Sequence, residues 1–462
     1  MGRFGDVARG EPLTTRLAPY VTPTALVLGA SLGIFVAWRA DASPVVILAI
    51  AALPLALLFS YRAALGALTV ILVARALLDD VGNQLVTGGL AAAVVALAIV
   101  VLGRSPTWVP AFFALAAYVI VSAWAGSGAH GASFTYAEAL RSISCAAVVV
   151  VAAKAPGRPT VRSVAHVTQA IALVPALLAI FQAATGTASV NNGAMRASGT
   201  LAHENSAAML FALANLATFV LLLDSRRRRW LHAGLLGVFL TAQIATGSIG
   251  GLVAAVAMAL TYLTSSAVRR ADRVLLSTLG LALAVYAATT SRVGAQRLAE
   301  YSQSSGEETS LAWRVQAWEH VLAFWRSNPV WGNGIGSTTS PTVLGGHIPH
   351  NEYVRLLAEL GVVGLAGILV VTALTARSLV RSGRASSTPA ASAFALATLA
   401  GLAVNALAAN TMMYTVAFCT ALYIVGACWR ISHQTEGDQT GEDLARIERR
   451  WATAPGQTPT NR

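Results

Sequence analysis

The residues with chemistry to offer stand in three short clusters within an otherwise apolar chain. One is Ile348-Pro-His-Asn-Glu-Tyr-Val-Arg-Leu-Leu-Ala-Glu-Leu-Gly-Val-Val-Gly364, which sets His350, Asn351, Glu352, Arg355 and Glu359 at the mouth of an apolar helix. Such groups are costly near lipid. Asn351 is a good N-cap for a helix running from Glu352. Glu352, Arg355 and Glu359 have the spacing of helical ion pairs, so a purely structural reading is open. The functional reading uses the same geometry. A helix N-terminus attracts an anion such as phosphate, and a His beside it can take a proton from a hydroxyl near neutral pH.

The second cluster, Arg196-Ala-Ser-Gly-Thr-Leu-Ala-His-Glu-Asn205, repeats that composition: an Arg, His203 and Asn205 at another helix start. The third is Arg314 within Leu311–Arg326, "LAWRVQAWEHVLAFWR". Leu311, Val315, Trp318, Leu322 and Trp325 recur at helical spacing, which predicts an amphipathic helix at a membrane surface, ended by Asn328-Pro329. Arg314 falls at the edge of that stripe, near Trp318 and Val321. It either snorkels toward headgroups or serves a site. Trp331-Gly-Asn-Gly-Ile-Gly-Ser337 lacks the spacing and the strand-turn-helix context of a nucleotide loop. It reads as a flexible turn, or as a loop that lets backbone N–H groups approach an anion. His130, His166, His232 and His433 have no comparable surroundings and read as incidental.

The elements that must position these clusters are membrane helices. Of 462 residues, 56% are hydrophobic and 11% charged, against about a quarter charged in soluble proteins. About fourteen apolar spans of ~16–24 residues recur, with one or two short enough to be re-entrant, so about 12–14 cross the bilayer. They start near Val21, Ser43, Ala63, Thr87, Trp108, Ala139, Val164, Asn205, Trp230, Ile249, Val274, Tyr353, Ala390 and Thr411. The net charge of +12 sits in short basic clusters between spans, which argues for membrane topology and against nucleic acid. Lys154 is the single lysine. Cys145, Cys419 and Cys428 lie in apolar segments without metal-ligand spacing or a disulfide framework. The first residues lack the shape of a cleavable signal, so the Val21–Trp38 span is expected to stay as an anchor.

Basic clusters fall on alternate loops, from Arg3 through Arg62, Arg104, Lys154/Arg158/Arg162, Arg226–Arg229, Arg269–Arg273 and Arg377–Arg384 to the tail. Cytoplasmic loops carry the Lys/Arg excess, so both termini are expected inside and the three clusters outside. The expected fold is all-α and polytopic, with a large extracytoplasmic loop at 290–351 carrying the amphipathic helix. The expected organisation is a cytoplasmic tail at 1–20, N-terminal transmembrane helices at 21–186, a core at 187–432 and a disordered cytoplasmic tail at 433–462. Asp79-Asp80 reads as a solvated turn, as do the other outer segments 125–138 and 187–204 as loops.

His350-Asn351, nine further residues and then Gly361-Val-Val-Gly364, preceded by Arg314, Trp318 and "SNPVWGNGIG", resemble the O-antigen ligase and polymerase superfamily of bacterial membrane glycosyltransferases. "RASGTLAHEN" looks like the family's first outer-loop motif. The motifs cover roughly Arg196 to Gly364. The resemblance implies a metal-independent, inverting glycosyltransferase of the bacterial plasma membrane that needs no cofactor. Its donor would be a glycan on undecaprenyl diphosphate, and its acceptor hydroxyl would lie on a glycan, lipid or protein outside the membrane. It implies His350 as base with Asn351 orienting it, and Arg196, Arg314 and Arg355 as diphosphate ligands, whose planar guanidinium matches phosphate oxygens. His203, Asn205 and Trp318 come second, and no metal is implied. One departure is Thr246-Gly-Ser-Ile249, where the family often has Thr-x-Ser-Arg. Arg292, Arg297 or Arg355 are candidates to replace that Arg. Ligase and polymerase share this chemistry. A transporter or flippase of lipid-linked sugars is the reading from another class, and it would show inverted repeats and broken helices. A non-catalytic binder of lipid-linked glycan is a further one.

Overall fold

A computed structural model of the chain describes residues 63–80, 84–104, 108–130, 132–191, 194–224, 228–268, 310–339, 348–385 and 389–452. Within them the chain is almost wholly helical. The elements in order are α1 (Ala64–Leu78), α2 (Gln84–Leu102), α3 (Val109–His130), α4 (Ala132–Lys154), α5 (Val161–Thr185), β1 (Ser189–Asn191), β2 (Ala194–Arg196), α6 (Glu204–Asp224), α7 (Arg229–Ala245), α8 (Ile249–Leu263), α9 (Ser310–Trp325), α10 (Glu352–Ala385), α11 (Pro389–Asn405) and α12 (Thr415–Ala452). Long Ala/Leu/Val runs adopt helix because a helix satisfies every backbone group inside the segment, as hydrocarbon requires. Every expected span that falls on described residues overlaps one of these helices. The spans starting near Val21, Ser43 and Val274 lie outside the described residues. Six of the described helices are long and apolar enough to cross a membrane, and α1, α2, α8 and α11 are shorter apolar helices. The protein is an all-α polytopic membrane protein.

Helix α6 is central. Its spanning window is 83% buried, against 22% for α3. On α3, Phe113, Ile120, Val121 and Trp124 remain exposed, the apolar flank a lipid-facing helix needs. Small residues set the closest packing: Gly251 of α8 lies against Ala208 of α6, and Gly426 of α12 against Val149 and Ala152 of α4. Such contacts replace the missing hydrophobic drive between helices in lipid. α5 starts with a Thr160/Ser163 capping box and ends at Gly186, whose left-handed backbone closes the last turn.

The bundle has two chemically different ends. At one, Arg162 pairs with Asp224 at the C-terminus of α6. There Lys154 also lies 4.9 Å from the Trp108 ring and 5.5 Å from that of Trp429, while the Arg430 guanidinium donates to the carbonyls of Ala155 and Gly157. Arg377, Arg381 and Arg384 follow near the C-terminus of α10. At the other end start α6, α10 and α12, and there the candidate chemistry gathers.

Several sequence expectations shift. Within segment 125–138 the described residues are all helical. A two-stranded antiparallel hairpin pairs Ser189 with Arg196 and breaks the otherwise helical pattern. The polar tail expected from His433 continues α12 to Ala452. Good helix formers from Glu442 to Ala452, with no proline before Pro455, account for that. α9 forms where the amphipathic helix is expected, but Val315 is 42% exposed while Ala317 and Val321 are buried. The inward face therefore runs through Arg314, Ala317, Trp318 and Val321, one residue over from the expected stripe. That rotation turns Arg314 toward the protein.

Candidate functional site

A cavity of about 260 Å3 is lined by Asp79, Ala202, His203, Ser206, Ile348, His350, Asn410, Met413 and Tyr414. It joins the end of α1, the loop before α6, the mouth of α10 and the loop between α11 and α12. The His-containing clusters of the first and second motifs therefore meet at one place.

The loop before α6 is tied down by α5 and by the end of α1. Gln182 of α5 accepts from the N–H groups of Ser198 (3.2 Å) and Gly199 (2.9 Å) and donates to the Gly199 carbonyl (3.0 Å). The Thr200 hydroxyl donates to Ala76 O at 2.6 Å, and Asp80 N–H donates to Thr200 O at 3.1 Å. Ala202 N–H donates to Asp79 Oδ2 at 3.2 Å. Asp79 is therefore part of the site and only 13% exposed at its side chain, which corrects its reading as a solvated turn. Burial raises its pKa above the ordinary carboxylate value, and Arg75 opposes that rise.

Arg196, at the end of β2, is buried. Its guanidinium pairs with Glu204, donates to Asn205 Oδ1 at 2.9 Å and reaches the Thr246 carbonyl at 3.2 Å. Asn205 Oδ1 also accepts from the Ser248 hydroxyl at 2.7 Å, and Ser248 Oγ accepts from Gly251 N–H to cap α8. The Thr-Gly-Ser-Ile hairpin thus docks on the second motif, with Arg196 holding its Thr246 carbonyl. Ile249 itself is 46% exposed. Arg292 and Arg297 lie outside the described residues. His203 Nδ1 accepts from Asn205 N–H at 3.0 Å, which leaves the proton of the neutral ring on Nε2. The ring stacks on Tyr414 at 5.6 Å, and burial lowers its pKa.

His350 adopts a φ of 46°, a left-handed backbone rare outside glycine. The Trp318 indole donates to the carbonyl of Pro349, one residue before it. Trp313 meets its ring edge-on at 5.6 Å. His350 Nδ1 is buried with no hydrogen-bond partner among the described residues. Burial first, and then the Arg314 charge, lower its pKa to about 4, so the imidazole is neutral at physiological pH. Arg314 Nη1 donates to Ala408 O at 3.3 Å. Asn351 caps α10, accepting from the N–H groups of Tyr353 (3.0 Å) and Val354 (3.2 Å).

Arg355, expected beside the donor phosphates, is placed differently. It is 4% exposed and held between Glu352 and Glu359, and Glu359 also accepts from Thr338 Oγ1 at 2.6 Å. Glu352 accepts from Met412 N–H at 3.1 Å, and its own N–H donates to Ala406 O at 2.8 Å. The triad therefore clamps the 406–414 loop to the mouth of α10. Three of its N–H donors go to the two carboxylates and little of it is exposed, so its surroundings are those of a structural ion pair.

The glycine loop has a structural task. α10 is broken at Gly361, and residues 329–334 fill the break. Val362 and Val363 N–H donate to the Pro329 and Val330 carbonyls, and Asn333 and Gly334 N–H donate to Ala358 and Glu359 O. Tyr118 Oη donates to the Leu360 carbonyl at 3.0 Å. The N–H groups of Gly332, Asn333, Gly334 and Ile335 are thus engaged within the protein, by Asn328, by Ala358 and Glu359 of α10, and by Ser122 of α3. Among the described residues, no three His, Cys, Asp or Glu side chains converge as a metal site needs.

Sequence reasoning missed Asp79, Ser206, Asn410 and Tyr414. None belongs to a motif, and only the packing of distant segments brings them to the cavity. Comparison with known proteins gives a family match: residues 234–369 match the family model Wzy_C, described as O-Antigen ligase. The matched stretch holds Arg314, Trp318, His350, Asn351 and Arg355, whereas Arg196, His203 and Asn205 precede it. A search of curated proteins finds no match to the chain.

Proposed function

We propose that this chain, which carries an O-antigen ligase domain, transfers a glycan from a polyprenyl diphosphate carrier to an acceptor hydroxyl on the extracytoplasmic face of a bacterial plasma membrane. The observation that carries the reading is the cavity shared by His203 and His350 beside Arg314. The acceptor hydroxyl gives its proton to His350, and its oxygen attacks the anomeric carbon as the bond to the diphosphate breaks. The leaving oxygen takes the electron pair as polyprenyl diphosphate, and the sugar inverts. Arg314 holds the diphosphate; its long bond to the Ala408 carbonyl is one a phosphate oxygen can replace. Burial chiefly keeps the His350 pKa low and the Arg314 charge adds to it; the bound anion offsets that second contribution, which favours the base. Arg196 fixes the mouth of α6 and contributes positive potential, and Arg355 holds the mouth of α10. No metal or cofactor enters this scheme.

Glycan release from a labelled polyprenyl diphosphate donor by the purified chain tests the reading. His350→Ala is expected to abolish transfer while insertion and folding persist; normal transfer by that variant removes the base assignment. Disrupting the gene separates ligase from polymerase. Long carrier-linked chains absent from the final acceptor mark a ligase, and single carrier-linked repeats mark a polymerase.

A further inference from the structure

The basic end of the bundle, away from the cavity, holds a feature that the transfer chemistry does not use. Past its break at Gly361, α10 runs on to Ala385. Along it Val370, Leu374, Arg377, Arg381 and Arg384 recur at alternating spacings of four and three residues, which sets all five on one helix face. Val370 is 55% and Leu374 59% exposed, and the three arginines are exposed as well. Leu379, on the opposite face, is fully buried. The face that α10 turns away from the bundle therefore carries apolar side chains and then three cations in line. Trp429 of α12 fixes their depth. Its indole donates to Ser378 Oγ at 3.4 Å, directly after Arg377, and its ring meets Trp108 edge-on at 5.5 Å. Tryptophans at the rim of a membrane bundle mark the interface. Arg377 thus stands at headgroup level, with Arg381 about 6 Å and Arg384 about 10 Å further out along the helix.

None of the three has an ion-pair or hydrogen-bond partner in the protein among the described residues. Among the described side chains at this end the one carboxylate is Asp224, and Arg162 takes it. Complementing the helix dipole needs a cation only in the last turn, where Arg384 stands. Anchoring the helix needs one snorkelling side chain. Three unpaired arginines on one lipid-facing stripe exceed both needs. We propose that Arg377, Arg381 and Arg384 form a binding surface for the headgroups of anionic phospholipids, whose acyl chains lie along the apolar face through Leu374 and Val370. The planar guanidinium matches phosphate oxygens. A zwitterionic headgroup offers the same phosphate, but its own cation is repelled by the row, so the surface prefers a net negative lipid. The proposal is independent of the glycosyltransferase reading.

The test uses the purified full-length chain in detergent. It is titrated with dioleoylphosphatidylglycerol, with dioleoylphosphatidylcholine and with sodium phosphate, and binding is read by thermal shift and native mass spectrometry. Phosphatidylglycerol is expected to bind saturably and more tightly than phosphatidylcholine, and to weaken as salt rises. Each basic residue near an anionic headgroup is worth about fivefold in affinity, so Arg377→Gln, Arg381→Gln and Arg384→Gln together should weaken phosphatidylglycerol roughly a hundredfold. Lysine at the same three positions keeps the charge and should keep most of the binding. Arg158, Arg228 and Arg229 are also exposed at this end; changed to Gln together, they remove the same net charge off the stripe and should leave the affinity near the parent value. The unfolding midpoint without lipid checks that each variant folds, and Arg381→Gln alone, expected to cost about fivefold, keeps the test open if the triple variant does not. The proposal is overturned if the two lipids bind alike, if sodium phosphate displaces phosphatidylglycerol at equal concentration, or if the off-stripe variant loses as much as the stripe variant. It is also overturned if the Gln variants bind as the parent does, the result expected if the acidic residues Glu436, Asp438, Glu442 and Asp443 of the α12 extension cover the stripe instead.

Discussion

Trp318 donates its indole N–H to the carbonyl of Pro349, the residue directly before His350. The bond ties α9 to the mouth of α10 at the residue that adopts φ 46°. A strained backbone persists only where its surroundings hold it. Trp318→Phe keeps most of the packing and removes the donor. We expect kcat to fall by roughly tenfold to a hundredfold, since a displacement of about 1 Å can cost that much, while KM for the donor stays near the parent value. Loss of donor affinity with unchanged kcat would place Trp318 on the carrier instead.

The buried triad predicts a stability phenotype rather than a binding one. Arg355→Ala leaves Glu352 and Glu359 facing each other in a buried place, and breaking a buried pair costs about 3–5 kcal/mol. The variant is expected to lose folded yield and thermal midpoint. A folded, thermally normal Arg355→Ala protein with weak donor binding would return Arg355 to the phosphates.

His350 gives the pH dependence a sign. Burial and then Arg314 lower its pKa to about 4, so the free protein keeps a neutral base from neutral pH down to that value. kcat/KM should stay level through mild acid and fall only as pH nears about 4. Arg314→Gln removes a charge that opposes protonation, so its acidic limb should move to higher pH, on a lower overall rate. The stabilising contribution follows the same direction: the neutral, buried ring is fully favourable above the ordinary His range and is lost as pH falls toward the lowered pKa. A limb that does not move in Arg314→Gln would mean that Arg314 does not face His350.

The spans were legible because hydrocarbon leaves helices as the only economical local structure, and the His350-Asn351 and Arg196–Asn205 clusters stood out because polar groups are rare beside such runs. The meeting of the clusters was not legible. It depends on Gln182, Thr200 and Asp79 bracing one loop, and on Glu352 gripping another, contacts between segments far apart in sequence. Ser206 and Asn410 carried no signal, being common residues that only the packing brings to the cavity. Arg355 was ambiguous from spacing alone, since helical ion pairs and phosphate ligands use the same (i, i+3) and (i, i+4) positions; burial separates the two.

Gly361 offers a test of the scaffold that is separate from the chemistry. Its backbone, φ 66° and ψ −173°, falls in a region that only glycine enters readily. A Cβ there would also meet the Val330 carbonyl. Gly361→Ala must therefore either strain the break or expel residues 329–334, which pair with the N–H and C=O groups that the break releases. The backbone strain alone is of order 1–3 kcal/mol. We expect a lower unfolding midpoint and a partial loss of transfer, because the triad residue Glu359 and the cap of α10 lie on the segment that the loop supports. Asn333→Ala, which removes side-chain bonds to Phe324 O and Ala358 O, should lower the midpoint in the same direction by less. Equal stability of parent and Gly361→Ala would mean that α10 runs unbroken through this position in the membrane.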